Sequence, residues 1–317
     1  MTQVFMKHKT SNNKYQYSYI NKFITKVKTL FIDIFYHPIC INACLHYSWG
    51  KLVHRNWGDD INVFLIEKLF NKKVSYLYSS SISMRRNKIN YIMIGSTATM
   101  LGNNHSVIWG AGIIDAAIPL TVQPLKILAV RGPLTRKYFI ENGVKCPEIY
   151  GDPAMLTKLV YTPPITPIYK LGIIPHYSDF NHPYLDNFRN KPDIIIIRME
   201  NYNNWQEVVA QICCCEYIAS SSLHGLIMSE TYGIPNLWIE LSGKLLGGHF
   251  KFHDFFLSIH ADRKMPFKIK KDTLISEILA TKSQYIKGHI DLEPLINSAP
   301  FKINHKYISI KHKHEYA

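Results

Sequence analysis

With 317 residues, the chain is longer than the roughly 250–300 residues at which single hydrophobic cores stop growing, so two domains are expected rather than one. Hydrophobic residues make up 47% of it and charged residues 19%, which excludes a mainly disordered protein. The formal net charge of +14 favours anionic partners, and nucleic acid, an anionic lipid surface and a phosphorylated small molecule all satisfy that condition.

The positive charge concentrates at the two ends of the chain. Six lysines and no acidic residue precede Asp33, and residues 302–313 hold four more lysines. Residues 1–45 and 291–317 are therefore predicted to be basic segments, either solvated or in contact with a membrane. Two interpretations stay open for residues 19–36, which mix apolar residues with lysines: the stretch lies on a membrane surface, or it packs on its own domain.

Six cysteines are too few for a disulfide scaffold, and the adjacent Cys213, Cys214 and Cys215 are predicted to be buried thiols in a reducing compartment. The first residues lack an apolar core with a cleavage site, and no run of 18 apolar residues occurs. These patterns predict a cytoplasmic protein, with peripheral contact at the inner face of the membrane as the open alternative. Neither a C-x-x-C nor an H-E-x-x-H motif occurs, so no metal is expected.

Short apolar runs that end in Gly or Ser alternate with helical patterns in the first half, as buried parallel strands do. Residues 61–70 are predicted to form a helix capped by Asp59 or Asp60. A second helix is predicted to begin at Pro133 and to end before Gly143. The predicted strands are residues 74–78, 91–96, 106–112 and 126–132.

Three prolines within residues 161–170 predict a linker between domains at 46–160 and 171–290. The second half repeats the alternation, with a predicted helix over 205–215. Its predicted strands are residues 171–176, 193–199, 216–222 and 235–240. The pattern therefore predicts an α/β protein of two facing Rossmann-like domains, with the active site in the interdomain cleft at the carboxyl ends of the strands.

The residues that follow the predicted strands are small or cationic, which indicates a site for an anion. Arg131 and Arg198 each end a strand, and a guanidinium can hold a carboxylate or phosphate through two hydrogen bonds. A salt bridge with Glu200 or Asp152 is the alternative for these arginines. Asp152 precedes Pro153, and we interpret it as a helix cap in preference to a catalytic group.

A serine cluster at 220–222 opens a predicted helix that ends at Gly233, and free backbone N–H groups at a helix start bind anions. Ser222 as a simple cap is the alternative. His224 lies in the first turn and His176 ends a strand, and each is either an acid–base group or a structural histidine. The candidate site comprises His224, His176, Arg131, Arg198, Ser221 and Ser222, supported by Asp152, Ser96 and Gly112.

Two common cofactor motifs are missing from the sequence. No G-x-x-x-x-G-K-[ST] loop occurs, and residues 109–115 lack the third glycine of the dinucleotide-binding fingerprint. The sequence therefore predicts no ATP or NAD site and no cofactor.

Eight strings in a fixed order resemble the polysaccharide pyruvyl transferase family. Together they extend over about residues 50–258, and the first fifty and last sixty residues lie outside the resemblance. The strings are NWGDDIN 56–62, IGS 94–96, WGAGI 109–113, VRGPLTR 130–136, YGDPA 150–154, IIPHY 173–177, SSSLHGLIMSETYGIP 220–235 and KFHDFF 251–256.

The resemblance implies a GT-B pair of Rossmann-like domains that uses phosphoenolpyruvate as donor. It implies a pyruvate ketal across two hydroxyls of a sugar in a capsular polysaccharide or exopolysaccharide, or in a lipid-linked precursor. The family's motif positions correspond to Arg131, His176 and His224, with Asp152 and Ser222 beside them. We hypothesise that the two histidines divide the proton transfers.

One departure from the family concerns the anion clamp. Some members carry Arg directly before the Leu-His pair, where this chain has Ser222. Either part of the clamp then comes from Arg131, Arg198 or Lys251, or the acceptor differs. Lys251 lies in a glycine-rich stretch, 243–254, which is predicted either to close over the donor or to be a plain surface loop.

Two other functions stay open on the sequence alone. Two facing Rossmann-like halves equally suit a nucleotide-sugar glycosyltransferase, which would bind a nucleoside diphosphate. A non-enzymatic binder of anionic polymers is the second, and it is disfavoured for nucleic acid because the lysines cluster at the ends and no RNA-binding signature occurs.

Overall fold

A computed structural model describes residues 19–77 and 87–308. It is a mixed α/β protein with two five-stranded parallel sheets. This confirms the α/β class and its Rossmann-like βα alternation. Lys7, Lys9, Lys14, Lys311 and Lys313 of the predicted basic ends lie outside the described residues.

The first sheet has the order β4-β1-β5-β6-β7, and all its strands run parallel. Its central region includes β1, which belongs to the predicted basic segment 1–45 and was not expected as a strand. The strands are β1 Ile39–Ile41, β4 Val74–Tyr76, β5 Asn90–Ile92, β6 Ser106–Trp109 and β7 Lys126–Ala129. A small antiparallel hairpin, β2 Tyr47–Ser48 and β3 Lys51–Leu52, stands apart from it.

The second sheet has the order β12-β11-β10-β8-β9 and is also parallel throughout. The predicted strands of the second half are confirmed, and the edge strand β12 is added to them. The strands are β8 Leu171–Ile174, β9 Ile194–Ile196, β10 Ile218–Ser220, β11 Asn236–Glu240 and β12 Phe267–Lys268.

Helices connect the strands of both sheets. Those of the first half are α1 Tyr19–Phe35, α2 Trp57–Phe70, α3 Ala98–Leu101, α4 Pro133–Glu141 and α5 Thr157–Val160. Those that follow are α6 Trp205–Cys213, α7 Leu223–Tyr232, α8 Phe250–Ser258, α9 Ile275–Ala280, α10 Glu293–Asn297 and α11 His305–Ile308. Short 3₁₀ helices occupy Pro153–Leu156, Tyr177–Asp179, Pro183–Phe188 and Thr281–Gln284. None of the helices in the described ranges is long and apolar enough to cross a membrane.

The helix ends follow local chemistry. Helix α4 begins at Pro133 as predicted, and Gly233 ends α7 at a φ of +73°. The predicted cap of α2 was wrong, since the extended Asn56 accepts the N–H of Gly58 at 3.2 Å, which starts the helix earlier than Asp59 or Asp60 would. The predicted loop 243–254 was also half wrong, because α8 begins at Phe250 and buries its aromatic side chains.

One hydrophobic cluster joins the two sheets through the first turns and faces of α2, α7 and α8. The described part of the predicted segment 291–317 contributes Leu295 and Ile303 to this cluster. The indole N–H of Trp109, at the end of β6, donates to the carbonyl of Leu295 at 3.0 Å. Burial of Cys213 and Cys215 with free thiols agrees with the prediction for that trio, while Cys214 is half-buried. The proposed domain boundaries stay a prediction.

Candidate functional site

The start of α2 and the start of α7 meet at the carboxyl edges of the two sheets. Gly58 is the closest point of contact, since a Cβ atom built on it would lie 2.0 Å from Nδ1 of His224. The ring of Trp57 lies 6.4 Å from the same imidazole, centroid to centroid. The first turn of α2 therefore packs directly against His224.

Asp152 also faces His224. Its Oδ1 accepts the N–H of Ala154 at 3.0 Å, which confirms its predicted role as a cap. Its Oδ2 lies 4.0 Å from Nε2 of His224, and within residues 19–77 and 87–308 both atoms lack a hydrogen-bond partner. Asp152 thus has one oxygen for the backbone and one turned toward the imidazole.

Burial shifts the pKa values of Asp152 and His224 in opposite directions. It raises the pKa of Asp152 to about 7, against opposing effects of the Ala154 N–H and of Arg131. Burial, reinforced by the charges of Arg131 and Lys251, lowers the pKa of His224 to about 3. Near neutral pH the imidazole is therefore neutral, while Asp152 is close to its pKa and can both donate and accept a proton.

Arg131 is fully buried, and its guanidinium is held on three sides. It forms an ion pair with Asp254 at 3.0 Å and donates to Oγ of Ser96 at 2.6 Å and to the carbonyl of Ile113 at 3.0 Å. Gly112 lies against it, because a Cβ atom there would be 2.3 Å from Cζ of Arg131. The predicted salt bridge of this arginine with Asp152 or Glu200 was wrong, because its carboxylate partner is Asp254 of α8.

Asp254 also fixes the start of α4. Its two oxygens accept the N–H of Thr135 at 2.9 Å and the Thr135 hydroxyl at 2.7 Å. Gly132 permits this approach, since a Cβ atom there would be 1.9 Å from the carbonyl oxygen of Asp254. Sequence reasoning included Asp254 in a family string without giving it a role, although a buried acid in an aromatic helix calls for a buried cation.

Lys251, one turn earlier on α8, is only 8% exposed. Burial and the nearby charge of Arg131 lower its pKa to about 8, although Asp59 acts in the opposite direction. Its ammonium lies 5.4 Å from the ring centroid of Phe252, and it has no hydrogen bond or ion pair with the part of the chain that the structure describes. A buried cation without a carboxylate partner is the kind of group that binds an anionic ligand.

Asp59, which follows Gly58 in α2, is a further acidic group near Lys251. Burial raises its pKa to about 7, while a 2.7 Å hydrogen bond from the Asn56 side chain and the charge of Lys251 lower it. The sequence offered Asp59 only as a helix cap. The signal that was available is the adjacent acid pair in NWGDDIN, of which Asp60 binds the Tyr202 hydroxyl at 2.7 Å.

His176 is held from both sides by serines. The backbone N–H of His176 donates to Oγ of Ser221 at 2.9 Å, and the ring Nδ1 of His176 accepts the backbone N–H of Ser178 at 3.3 Å. Neutral His176 therefore carries its proton on Nε2. Burial and the charge of Lys251 lower its pKa to about 3. The Ser221 hydroxyl thus fixes the backbone at His176.

The serine cluster divides its tasks. Oγ of Ser220 accepts the N–H of Ser222 at 3.0 Å and donates to the carbonyl of Ile174 at 3.1 Å, which ties β10 to β8. Ser222 occupies the N-cap position of α7, yet its side chain makes no cap hydrogen bond. The predicted alternative of a capping hydroxyl was therefore wrong for Ser222.

Arg198 lies apart from the other candidates. It is exposed, and its guanidinium carbon stacks 3.9 Å from the ring centroid of Phe180. The expected salt bridge with Glu200 is not formed among the described residues. The site that the structure brings together consists of Arg131, Ser96, Gly112, Asp152, His224, Lys251 and Asp59, with His176 after β8 and Ser221 after β10 beside them.

Comparison with known proteins places this arrangement in a family. The sequence profile described as polysaccharide pyruvyl transferase matches residues 7–243. The chain belongs to the polysaccharide pyruvyl transferase family. The match begins well before residue 50, so the first fifty residues were wrongly expected to lie outside the resemblance. Strand β1 lies within this match and is an interior strand of the first sheet, between β4 and β5.

Two curated relatives extend the comparison. An uncharacterized protein of Acanthamoeba polyphaga mimivirus is 29% identical over 270 residues, which cover 82% of this chain and 90% of the relative. The succinoglycan biosynthesis protein ExoV of Rhizobium meliloti (strain 1021) is 24% identical over 236 residues, covering 72% and 70%. The family assignment makes this chain a pyruvyl transferase that acts in polysaccharide biosynthesis.

Proposed function

We propose that this chain transfers pyruvate from phosphoenolpyruvate onto two hydroxyls of one sugar in a polysaccharide or its precursor. The observation that carries the proposal is the buried ammonium of Lys251, which lies beside the histidines. Arg131 has a carboxylate partner, whereas Lys251 has no ion pair within the described ranges. A ligand with both a carboxylate and a phosphate supplies the missing negative charge.

The reaction needs two additions at one carbon. A proton goes to the methylene carbon of phosphoenolpyruvate, and one sugar hydroxyl adds to C2 and gives up its own proton. The second hydroxyl then gives up its proton and forms the other C–O bond at C2 as the C–O bond to phosphate breaks, and that proton leaves with the phosphate. The products are the pyruvate ketal and inorganic phosphate, so atoms balance without water or an oxidant. The protein must supply an acid, a base and an anion site.

The proposed roles follow from the contacts. Lys251 and the free N–H groups at the start of α7 bind the anion, and Arg131, held by Asp254, adds a fixed positive field. Asp152 and His224, whose facing atoms lie 4.0 Å apart, serve as one acid–base pair once donor binding brings them within hydrogen-bond distance. His176 presents Nε2–H from the facing loop as a hydrogen-bond donor to the bound donor substrate or the sugar.

Anion binding changes the electrostatics of this group. In the free protein, burial disfavours the imidazolium form of His224, and the charges of Arg131 and Lys251 add to this effect. A bound dianion or trianion offsets those charges, so the pKa of His224 rises and the imidazole takes up a proton when the donor binds. Binding of phosphoenolpyruvate would thereby protonate His224, the acid that the reaction uses.

In the proposed arrangement, the two parallel sheets form a GT-B pair and the sugar enters the cleft between them. Support comes from the residues that follow β6, β7, β8 and β10, which supply Gly112, Arg131, His176 and Ser221. These residues lie at the carboxyl edges of the two sheets, where open α/β proteins bind ligands.

Donor binding provides the direct test. Thermal unfolding is measured with phosphoenolpyruvate, with UDP and without ligand; a donor present at 100 times its Kd adds about 2.7 kcal/mol to the free energy of unfolding. The proposal expects a shift with phosphoenolpyruvate alone, and that shift should disappear in Lys251→Met. Stabilisation by UDP alone would replace the proposal with nucleotide-sugar glycosyl transfer.

Product analysis completes the test. With a sugar acceptor, phosphate release should accompany the mass gain of a pyruvate ketal. His224→Ala should lower the rate by about 10²–10⁴-fold. The exposed His289 offers a matched control, and His289→Ala should leave the rate unchanged.

A further inference from the structure

Helix α1 packs on the protein with its polar side inward. Four polar residues at every fourth position face the interior, and each is less than a tenth exposed: Asn21, Thr25, Thr29 and Asp33. The apolar side chains face outward and are between 36% and 67% exposed: Phe23, Val27, Leu30, Phe31, Ile34 and Phe35. This is the reverse of a helix that covers a core.

Hydrogen bonds fix this orientation. The Asn21 amide donates to Oγ of Ser48 at 2.9 Å, and its carbonyl oxygen accepts the N–H of Trp49. Oγ1 of Thr25 accepts the N–H of Gly50 at 3.0 Å. These bonds hold the polar side against the β2–β3 hairpin, so the apolar side cannot turn inward without losing them.

Two lysines of the helix, Lys26 and Lys28, border the apolar side. At about 100° per residue, the exposed apolar side chains span an arc of about 140°, from Leu30 to Phe35. Lys26 lies about 40° beyond one end of this arc and Lys28 about 20° beyond the other. Both lysines are exposed, and the only acid of the helix, Asp33, is on the buried side.

Trp49 extends the same surface at the tip of the hairpin. It is half exposed, and its carbonyl accepts a hydrogen bond from Nζ of Lys28 at 3.2 Å. Trp side chains favour the boundary between lipid headgroups and acyl chains.

We infer that α1 and the Trp49 hairpin tip dock this protein on an anionic lipid bilayer. The apolar arc enters the boundary between headgroups and acyl chains, while Lys26 and Lys28 reach lipid phosphates from its two edges. The helix then lies in the plane of the membrane and does not cross it. Both interpretations left open for residues 19–36 then hold. The outer, apolar side of the helix contacts the membrane surface, and the inner, polar side packs on the protein.

Charge disfavours a second copy of the chain as the occupant. A two-fold dimer through this surface would bring its lysine borders against each other. The helix offers no exposed acid to pair with them. An anionic lipid surface matches both the apolar arc and its two basic borders.

The test is sedimentation of the full chain with vesicles. Vesicles of phosphatidylcholine with about 30% phosphatidylserine should bind the protein at low salt and bind it less as salt increases, and phosphatidylcholine alone should bind it less. The double variant Phe31→Ser/Ile34→Ser should lose about tenfold or more in binding at an unchanged melting temperature, because both side chains are already half exposed. Lys26→Gln should weaken binding and its salt dependence.

The control replaces equally exposed apolar residues elsewhere. Ile168 and Ile286 are 71% and 81% exposed, and Ile168→Ser/Ile286→Ser should bind vesicles as the wild type does. No sedimentation with the anionic vesicles at low salt overturns the inference, as does sedimentation that survives Phe31→Ser/Ile34→Ser. Self-association without vesicles that this same variant abolishes would assign the surface to a second copy.

Discussion

Gly58 and His224 are separated by 166 positions, yet a Cβ atom on the first would lie 2.0 Å from the imidazole of the second. The same Cβ would lie 2.5 Å from Cε1 and 2.6 Å from Cγ, so the whole ring is seated on the glycine. The α2 backbone therefore defines one side of the position that His224 takes.

Replacing Gly58 by Ala should displace His224 while the fold persists. The imidazole is the end of a side chain with two free torsions and can rotate away, so the expected loss is mainly catalytic, about tenfold or more in phosphate release. Histidine titration by NMR provides a second readout, since a displaced ring becomes more hydrated and its pKa rises toward 6.5. An unchanged rate and an unchanged titration would show that the ring does not depend on Gly58.

Replacing Asp254 by Asn should destabilise the protein strongly. The substitution leaves the fully buried Arg131 without its carboxylate, which costs about 3–5 kcal/mol in comparable pairs. Thermal and denaturant unfolding measure this loss. The matched control is Glu148→Gln, which breaks the exposed pair with Arg136 at 3.8 Å and should change stability by less than about 1 kcal/mol. Equal effects of the two variants would contradict a structural role for the buried pair.

Lys251 should make stability rise with pH above about 8. Its pKa is lowered from 10.5 to about 8 in the folded protein, so the unfolded chain binds more protons between these values and unfolding becomes less favourable as pH rises. Lys251→Met should therefore be more stable than wild type at pH 7, by about 3 kcal/mol at most, and this difference should shrink toward pH 10.5. Lys264→Met, at an exposed position, should show no such convergence.

Asp152 should have the opposite pH signature at lower pH. Its folded pKa of about 7 exceeds the usual 3.8, so the folded state binds more protons between these values and loses stability as pH rises through them. Asp152→Asn keeps a side-chain oxygen that can accept the Ala154 N–H and removes the titration. The variant should gain stability over wild type from pH 4 to pH 7, as measured by denaturant unfolding. A constant difference between the two proteins would refute the raised pKa.

Leu295 should contribute to stability as a core residue. It is fully buried next to Trp109, so Leu295→Ala should cost about 2–5 kcal/mol. Ile286→Ala at an 81% exposed position serves as the control and should be nearly neutral. If both variants melt alike, the segment does not stabilise the core.

The sequence predicted the strands that are continuously apolar and end in small residues, such as β6, β8 and β10. It missed β12, which is only two residues long, and β1, which is as long as the predicted β10 but lies in residues 1–45, a segment interpreted from its lysines. Amphipathicity of residues 19–36 was readable, but not which side of α1 faces out, since that depends on the hydrogen bonds of the β2–β3 hairpin.

The candidate site was partly predictable. Position at a strand end indicated His176, Arg131 and Ser221, because parallel strands bring their carboxyl ends to one edge. The partner of Arg131 was not predictable, since Asp254 follows it by 123 residues and belongs to an element interpreted as a loop. Arg198 met the same strand-end criterion, yet it stacks on Phe180, because pattern alone does not fix the direction of a side chain.

The bond from Trp109 to Leu295 also has a consequence for synthesis of the chain. The two residues are 186 positions apart, and Phe301 from the same late segment lies 5.5 Å from Phe70, centroid to centroid. At about 5–20 residues per second, a ribosome needs about 10–40 seconds to pass from the first residue to the second. Once β7 has been made, the first sheet has all of its strands but an exposed aromatic flank, which makes the nascent chain a substrate for chaperones until its last helices emerge.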